Sequence, residues 1–378
     1  MMLKISLLFL TVVLPGLLRA QGPDTSAAQA SSVAPPLPPP PPPTPALLVT
    51  GSVDVYYRYD FNKTNTDLTS FTSSHDQFRL GMATVKLEHK TSKLDMVADL
   101  GVGSREQEFA YHDNGIVQAI KQLYISYAPT AWVKVTAGTW ATHVGYEVLD
   151  ANANRNYSMS YMFSNGPFSH TGVRADFTVG KSGLMIGVSQ PTDVRSVPED
   201  GSNNKNLLAQ YSYVAGDHFK CFFNYVGGRD MADTKVHQYD LVINTKASTL
   251  VGIGFNATAN TSRALNDGKY AASSTWWGAA VYLNLDPKPW LGLTLRSEYF
   301  NDKDGVKMHP FFVPESGVTT VLGANVFANT LSANFKVGGL TVIPEFRYDY
   351  SSAPIFMQKA GASTTSGASL LFAAVYAF

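Results

Sequence analysis

The chain has 378 residues, and its 29 Lys+Arg cancel 29 Asp+Glu, so no basic field gathers nucleic acid and nothing favours an anionic partner. The single cysteine, Cys221, excludes both an intramolecular disulfide and a thiolate metal cluster. Aromatic residues make up 12% of the chain and charged residues only 15%, against roughly 25% charged in soluble domains, so something other than water solvates part of the surface.

In chain order, residues 1–20 come first. Lys4, an apolar core from Ile5 to Leu14, the breaker Pro15-Gly16 and small Ala20 before Gln21 have the pattern of a cleaved secretory signal. A membrane anchor is the weaker reading, because the core is shorter than the roughly 20 residues a spanning helix needs. Residues 21–47 form a Pro-rich segment expected in the periplasm. Its stretch APPLPPPPPPTPA, at 34 to 46, favours an extended polyproline II rod that serves as a spacer, with a ligand for a proline-binding partner as the alternative.

From residue 48 to 378 no helical period appears. Apolar and polar residues alternate over about ten positions and then a connector follows, which is the pattern of a transmembrane β-barrel. In GSVDVYYRYDF, Val53, Val55, Tyr57, Tyr59 and Phe61 share one face, and Asp54, Arg58 and Asp60 share the other. Similar alternation recurs around Leu94–Val102, Val173–Val179 and Leu340–Tyr350. The connectors sort into seven short turns and eight long polar loops, which alternate along the chain. That arrangement predicts an all-β fold, an antiparallel barrel of about 16 strands with short periplasmic turns and long extracellular loops. Trp132 and Trp290, each directly after a short turn, suit an aromatic girdle, with local packing as the alternative. The terminal SLLFAAVYAF carries Leu370, Phe372, Ala374, Tyr376 and Phe378 on one side, the lipid side of a last strand that pairs with the first near Val53.

Residues 136–177 read TAGTWATHVGYEVLDANANRNYSMSYMFSNGPFSHTGVRADF, and IPEFRYDYS follows at 343–351. Gly138, Thr142, Gly145 and Glu147, then Asn154, Asn156, Tyr157 and Ser158, then Gly166-Pro167-Phe168, His170-Thr171-Gly172, and finally Pro344, Glu345, Arg347 and Asp349 carry a resemblance. Together they resemble the OmpL-like β-barrel porin family of Gram-negative, Bacteroidetes-type outer membranes. Met159 departs from that pattern, where an arginine is expected. The resemblance covers roughly the whole barrel and implies an outer-membrane location. It also implies a carboxy-terminal assembly signal, Tyr376 and Phe378, addressed to the barrel-assembly machinery.

A sixteen-stranded wall encloses a lumen too wide for side chains to fill, so the function expected is a porin passing small polar solutes by passive diffusion. The longest loop, 143–168, follows the fifth strand, where trimeric general porins fold a loop inward. His143, Glu147, Asp150, Asn154, Arg155 and Tyr157 are its candidate constriction residues; a loop lying across the mouth is the alternative. Arg58, Lys86, Arg174, Arg296, Glu298, Glu345, Arg347 and Asp349 are the candidate lumen wall. Those spaced two apart, Glu345/Arg347/Asp349 and Arg296/Glu298, are expected to form structural cross-strand pairs, with a substrate ladder as the minor reading. The signs nearly balance, so ion preference is expected to be weak. No catalytic residue, metal or cofactor is expected: G-x-S-x-G, H-E-x-x-H and P-loop patterns are absent, and Ser169 and His170 are neighbours on a strand, pointing to opposite faces. Expected partners are outer-membrane lipid, the assembly machinery and small polar solutes, with a homo-oligomer left open. The other function weighed is a non-conducting outer-membrane assembly or adhesion scaffold, suggested by the polyproline rod.

Mass spectrometry of outer-membrane fractions tests the signal: the mature protein is expected to begin near Gln21, and an intact Met1 terminus would refute cleavage.

Overall fold

A computed structural model describes residues 47–198, 201–308, 313–315, 318–320 and 323–378. The signal and nearly all of the Pro-rich segment lie outside the described residues. Sixteen strands form the wall: β1 (Leu47–Asp60), β2 (Gln77–Lys90), β3 (Leu94–Val102), β4 (Ile120–Thr130), β5 (Val133–Ala141), β6 (Ser169–Val179), β7 (Ser182–Ser189) and β8 (Asn206–Ala215) make the first half. The second half is β9 (Phe219–Arg229), β10 (Lys235–Lys246), β11 (Val251–Arg263), β12 (Ser274–Lys288), β13 (Leu291–Asp302), β14 (Ala324–Val337), β15 (Leu340–Ser351) and β16 (Ser366–Ala377). Each pairs antiparallel with its sequence neighbour, and β16 returns to β1, so the sheet is a closed barrel. Closure leaves no edge with unpaired backbone groups, which is the condition for a sheet to stand in hydrocarbon.

The two-residue period sets the wall. Along β14, Val326, Ala328, Thr330, Ser332 and Asn334 are buried inward while Phe327, Leu331 and Phe335 are exposed outward. The seam follows the same rule, with Val53 opposite Tyr376 and Tyr57 opposite Phe372. Those residues are on the outer face, while Asp54, Arg58, Leu371 and Val375 point in and are buried. Trp132 and Trp290 lie at the short-turn end with more than half their surface exposed. Each also meets an aromatic residue of an adjacent strand, Phe177 and Phe335, at 6.3 Å between ring centroids. The local packing is present, on rings that remain exposed at the short-turn end.

The interior departs from a simple wet lumen. Phe71, Phe109, Leu149, Met159, Phe163 and Phe168 come from three different loops and pack with Met82 of β2 into one apolar cluster. A second cluster joins Tyr161 and Met162 to Trp276, Tyr282 and Phe300 of the wall. Too few wall side chains are large enough to meet across sixteen strands, so the extracellular loops supply the filling.

The last residue closes the ladder: Gly51 and Phe378 exchange both backbone hydrogen bonds, at 3.0 and 3.2 Å. Deleting residues 376–378 removes these bonds and the partners of Ser52 and Val53, and is expected to abolish the heat-modifiable folded band on gels. Deleting residues 38–43 should leave that band intact. Equal folded fractions for the two deletions would show that closure does not depend on the terminal residues.

Candidate functional site

The loop between β5 and β6 crosses the inside of the barrel as irregular backbone, interrupted by a 3-10 turn at Ala151–Ala153 and a short helix at Tyr161–Asn165. The Ser160 hydroxyl caps that helix by accepting from the Phe163 N–H at 3.0 Å. Irregular backbone so deep in a barrel must find a partner for each amide and carbonyl, and here the wall supplies them. The Glu298 carboxylate accepts from the Tyr161 and Met162 N–H groups, both at 2.8 Å. Glu345 accepts from Tyr157 and Ser158, at 2.8 and 3.2 Å, and Asp240 accepts from Gly145 at 3.0 Å. Guanidinium groups serve the carbonyls: Arg296 donates to Ser158 O and Arg347 to Met159 O, each at 2.7 Å. Asn334 donates to Arg155 O at 2.9 Å. Wall carboxylates thus take loop amides, and wall cations take loop carbonyls.

Side chains complete the attachment. Tyr157 donates its hydroxyl to Asp54 of β1 at 2.5 Å, and Tyr161 donates to Asp349 of β15 at 2.9 Å. Glu147 pairs with Arg296 and accepts from the Ser160 N–H. Asp150 accepts from Lys121 of β4 at 2.6 Å. Arg155 reaches the short-turn end, where its guanidinium forms a fork with both oxygens of Asp286, at 2.5 and 3.0 Å. Asn154 braces its own loop through Val148 N and O. His143 meets the Tyr225 carbonyl at 3.2 Å, and burial lowers its imidazole to about 4, so it is neutral at physiological pH.

The wall is shaped to receive this loop. A Cβ on Gly81 would lie 1.7 Å from an Asp54 carboxylate oxygen and 2.7 Å from the Tyr157 hydroxyl, and one on Gly254 would lie 2.4 Å from the Tyr146 ring. Gly278 and Gly292 similarly make room for Met162 and Arg155, at 2.6 and 2.7 Å. Between the loop, the 61–76 loop and the wall near Arg58, Ser158, Tyr161 and Arg347 remains a cavity of about 30 Å³, lined by polar and apolar side chains. That holds roughly two waters.

The structure gathers Glu147, Tyr157, Arg296, Glu298, Glu345, Arg347 and Asp349 into one network. Arg58 stands at its edge, pairing with Asp60 at 2.6 Å and donating to Ser74 O at 2.8 Å. Lys86 and Arg174 lie elsewhere on the wall, paired with Glu88 at 2.6 Å and Asp176 at 3.4 Å. The expected cross-strand pairing of Glu345, Arg347, Asp349, Arg296 and Glu298 is corrected. Arg347 pairs with Asp349 along its own strand at 2.9 Å, while Arg296, Glu298 and Glu345 turn to the loop. Register is the reason, since the residues opposite Arg347 are Thr330 and Ser369, and those opposite Glu298 are Ala280 and Ala328. With neutral neighbours across the strand, each charge takes the nearest opposite charge or loop dipole.

Sequence reasoning missed Arg105, which is fully buried, lies 4.8 Å from the Tyr157 ring centre and donates to Leu149 O at 3.3 Å. It also missed Arg195, which ties the 190–205 loop to Asp113 at 2.9 Å, and Lys121. Lys121 has no charged neighbour in sequence, and Arg105 and Arg195 stand within two residues of carboxylates, Glu106 and Asp193, that do not point to the long-range partners they take.

A family model described as "Putative beta-barrel porin-2, OmpL-like" matches residues 46–378. No curated protein matches. Among solved structures, the trimer form of OmpT from Vibrio cholerae shares 10% identity over 89% of this chain and 100% of that one, with a TM-score of 0.57. The anion-selective porin from Comamonas acidovorans shares 9% over 88% and 99%, at 0.57. The outer-membrane channel DcaP of Acinetobacter baumannii shares 12% over 89% and 98%, at 0.56. At such identities the likeness shows the fold alone.

Two outcomes check this network. Glu298→Ala leaves two buried amides without an acceptor and is expected to destabilise the barrel by about 1–3 kcal/mol per orphaned group, read as a lower urea midpoint; an unchanged midpoint would show that the bonds contribute nothing. Glu106, in the helix Ser104–Phe109, is buried, with its carboxyl raised to about 8 by desolvation against the weaker pull of Arg195. A carboxyl whose folded pKa lies above its unfolded value stabilises fully at low pH, and that contribution falls as pH rises from about 4.5 to about 8. Glu106→Gln should therefore flatten the loss of stability between pH 5 and 9. An equal slope in both proteins would contradict the assignment.

Proposed function

The chain belongs to the OmpL-like β-barrel porin-2 family, and on that premise we propose that this outer-membrane porin passes small polar solutes passively, through a lumen narrowed by the loop 143–168. The observation that carries this reading is the attachment of the loop's main chain to Glu298, Glu345, Arg296 and Arg347 of the wall. A loop held at so many points stays inside the barrel rather than lying across its mouth. Below it, Lys134, Arg174, Asp176 and Lys220 line the lumen half-buried, with both signs present, which supports weak ion selectivity. We assign the protein no catalytic chemistry.

A non-conducting scaffold is favoured by one observation: where the loop meets β1, β15 and β16, the space left holds only about two waters. Conductance decides between the readings. In planar bilayers the parent is expected to give small single-channel steps. Gly278→Leu, which places a side chain where Met162 now sits, should displace the loop and enlarge those steps. Arg155→Glu, which breaks the fork to Asp286, should alter ion selectivity more than Lys303→Glu in a surface loop. A silent parent with a conducting Gly278→Leu variant would establish the closed reading. Equal conductance in parent and variant would mean that the loop does not set the constriction.

A further inference from the structure

On the outer face, at the long-loop end, three cations stand in one row. Arg229 is directly opposite Lys235 across the β9–β10 ladder, and Lys235 is opposite Arg263 across β10–β11. Alternation turns them outward: Gln238, Asp240 and Asn260 fill the inward positions and are buried, whereas Tyr239, in phase with Lys235, is 56% exposed. All three surround one ring, Tyr270 of the small hairpin Leu265–Asn266/Lys269–Tyr270, which folds over the row. The Lys235 ammonium lies 4.0 Å from the ring centre, and the Arg263 and Arg229 guanidinium carbons lie 5.8 and 6.0 Å from it.

Like charges directly opposite on neighbouring strands repel, and nothing in the described residues neutralises these: none of the three forms an ion pair. Two carboxylates of the adjoining 230–234 turn are engaged by other donors. Asp230 accepts from the Ala232 and Thr234 amides, and Asp233 accepts from the Asn204 side chain. The Arg263 Nε–H donates to the Ala271 carbonyl at 3.0 Å, which fixes one guanidinium and leaves its other edge free. The site is thus preorganised for an anion with several acceptor oxygens, the geometry that arginine forks recognise in phosphate.

Height along the wall identifies the anion's source. Tyr225, Tyr239, Ala259 and Trp277 form one rung of the ladder, an aromatic row of the kind that marks a membrane interface. The cations stand four residues further out on each strand, about 13 Å along the chain direction at ~3.3 Å per residue. That is the level of lipid headgroups, on the extracellular side. We propose that Arg229, Lys235 and Arg263, held around Tyr270, form a docking site for the phosphate groups of an outer-leaflet lipid.

Binding to the purified barrel in neutral detergent tests this, with bisphosphorylated lipid A, its dephosphorylated form and inorganic phosphate as probes. The parent is expected to bind the bisphosphorylated lipid in a salt-sensitive manner and the dephosphorylated lipid much more weakly. Arg229→Gln/Lys235→Gln/Arg263→Gln should lose at least about tenfold in affinity. Lys181→Gln/Lys246→Gln/Lys288→Gln, which removes three exposed cations at the opposite rim, should bind as the parent does. Lys235→Arg, which keeps the charge, should retain binding and guards against a folding defect in the triple variant. Equal affinity for the two lipids, or a triple variant that binds like the parent, would overturn the site. Inorganic phosphate binding as tightly as the lipid would overturn its assignment to the membrane.

Discussion

A closed sheet satisfies every amide of its own strands, but a loop that enters it brings irregular backbone whose amides and carbonyls must find partners inside the barrel. The remainder of this structure follows from how that demand is met. Glu298, Glu345 and Asp240 accept the loop's amides, and Arg296, Arg347 and Asn334 serve its carbonyls. Charge-assisted bonds of this kind are worth roughly 1.5–3 kcal/mol each when formed and leave a heavy penalty when one partner is lost, so the network holds as a unit. It also accounts for ionisable residues with no exposed surface, such as Arg296 and Glu298, in a fold often described as water-filled. Their counter-charges are peptide dipoles as much as side chains.

The wall was legible from the sequence to within a few residues because its causes are local. Alternation with a period of two, turns built from Gly, Pro and Asp, and loops of contrasting length each leave a mark on the chain itself. The seven short turns fall between strands where GKSG, AGDH and GG put them, and Val53 does lie opposite Tyr376. What the sequence did not reveal is everything that depends on register. Whether Arg347 faces a carboxylate or Thr330 is decided by one strand sliding against another, and the same sliding brings Arg229, Lys235 and Arg263 into one row. Gly254 and Gly278 read as ordinary strand glycines until Tyr146 and Met162 are seen to occupy their missing side chains.

The two faces of the wall also solve different problems with the same alternation. Outward positions along β14 and β16 are mostly Leu, Val, Phe, Tyr and Ala, with Asn329 among them. Inward positions are more narrowly specified, since many of their charged or small residues answer a particular loop atom or a neighbouring wall charge. This asymmetry explains why an inward motif such as P-E-x-R-x-D on β15 stands out in the chain. The outward residues that accompany it, Phe346, Tyr348 and Tyr350, carry only their hydropathy.

The loop's anchors impose an order on events as the protein matures. It leaves the wall after the fifth strand, yet its bonds to Glu298 and Glu345 span 137 and 188 positions of sequence, and Tyr157 reaches back 103 positions to Asp54. While only the first half of the wall exists, the loop has Asp54 and Lys121 to hold it and few partners for its amides. Contacts of such long range form late. The loop can seat fully only once β13 to β16 have arrived, and since Tyr157 then touches both β1 and β15, its seating coincides with the joining of the two ends of the sheet. Until that moment the nascent wall lacks the bonds that Glu298 and Glu345 make to the loop.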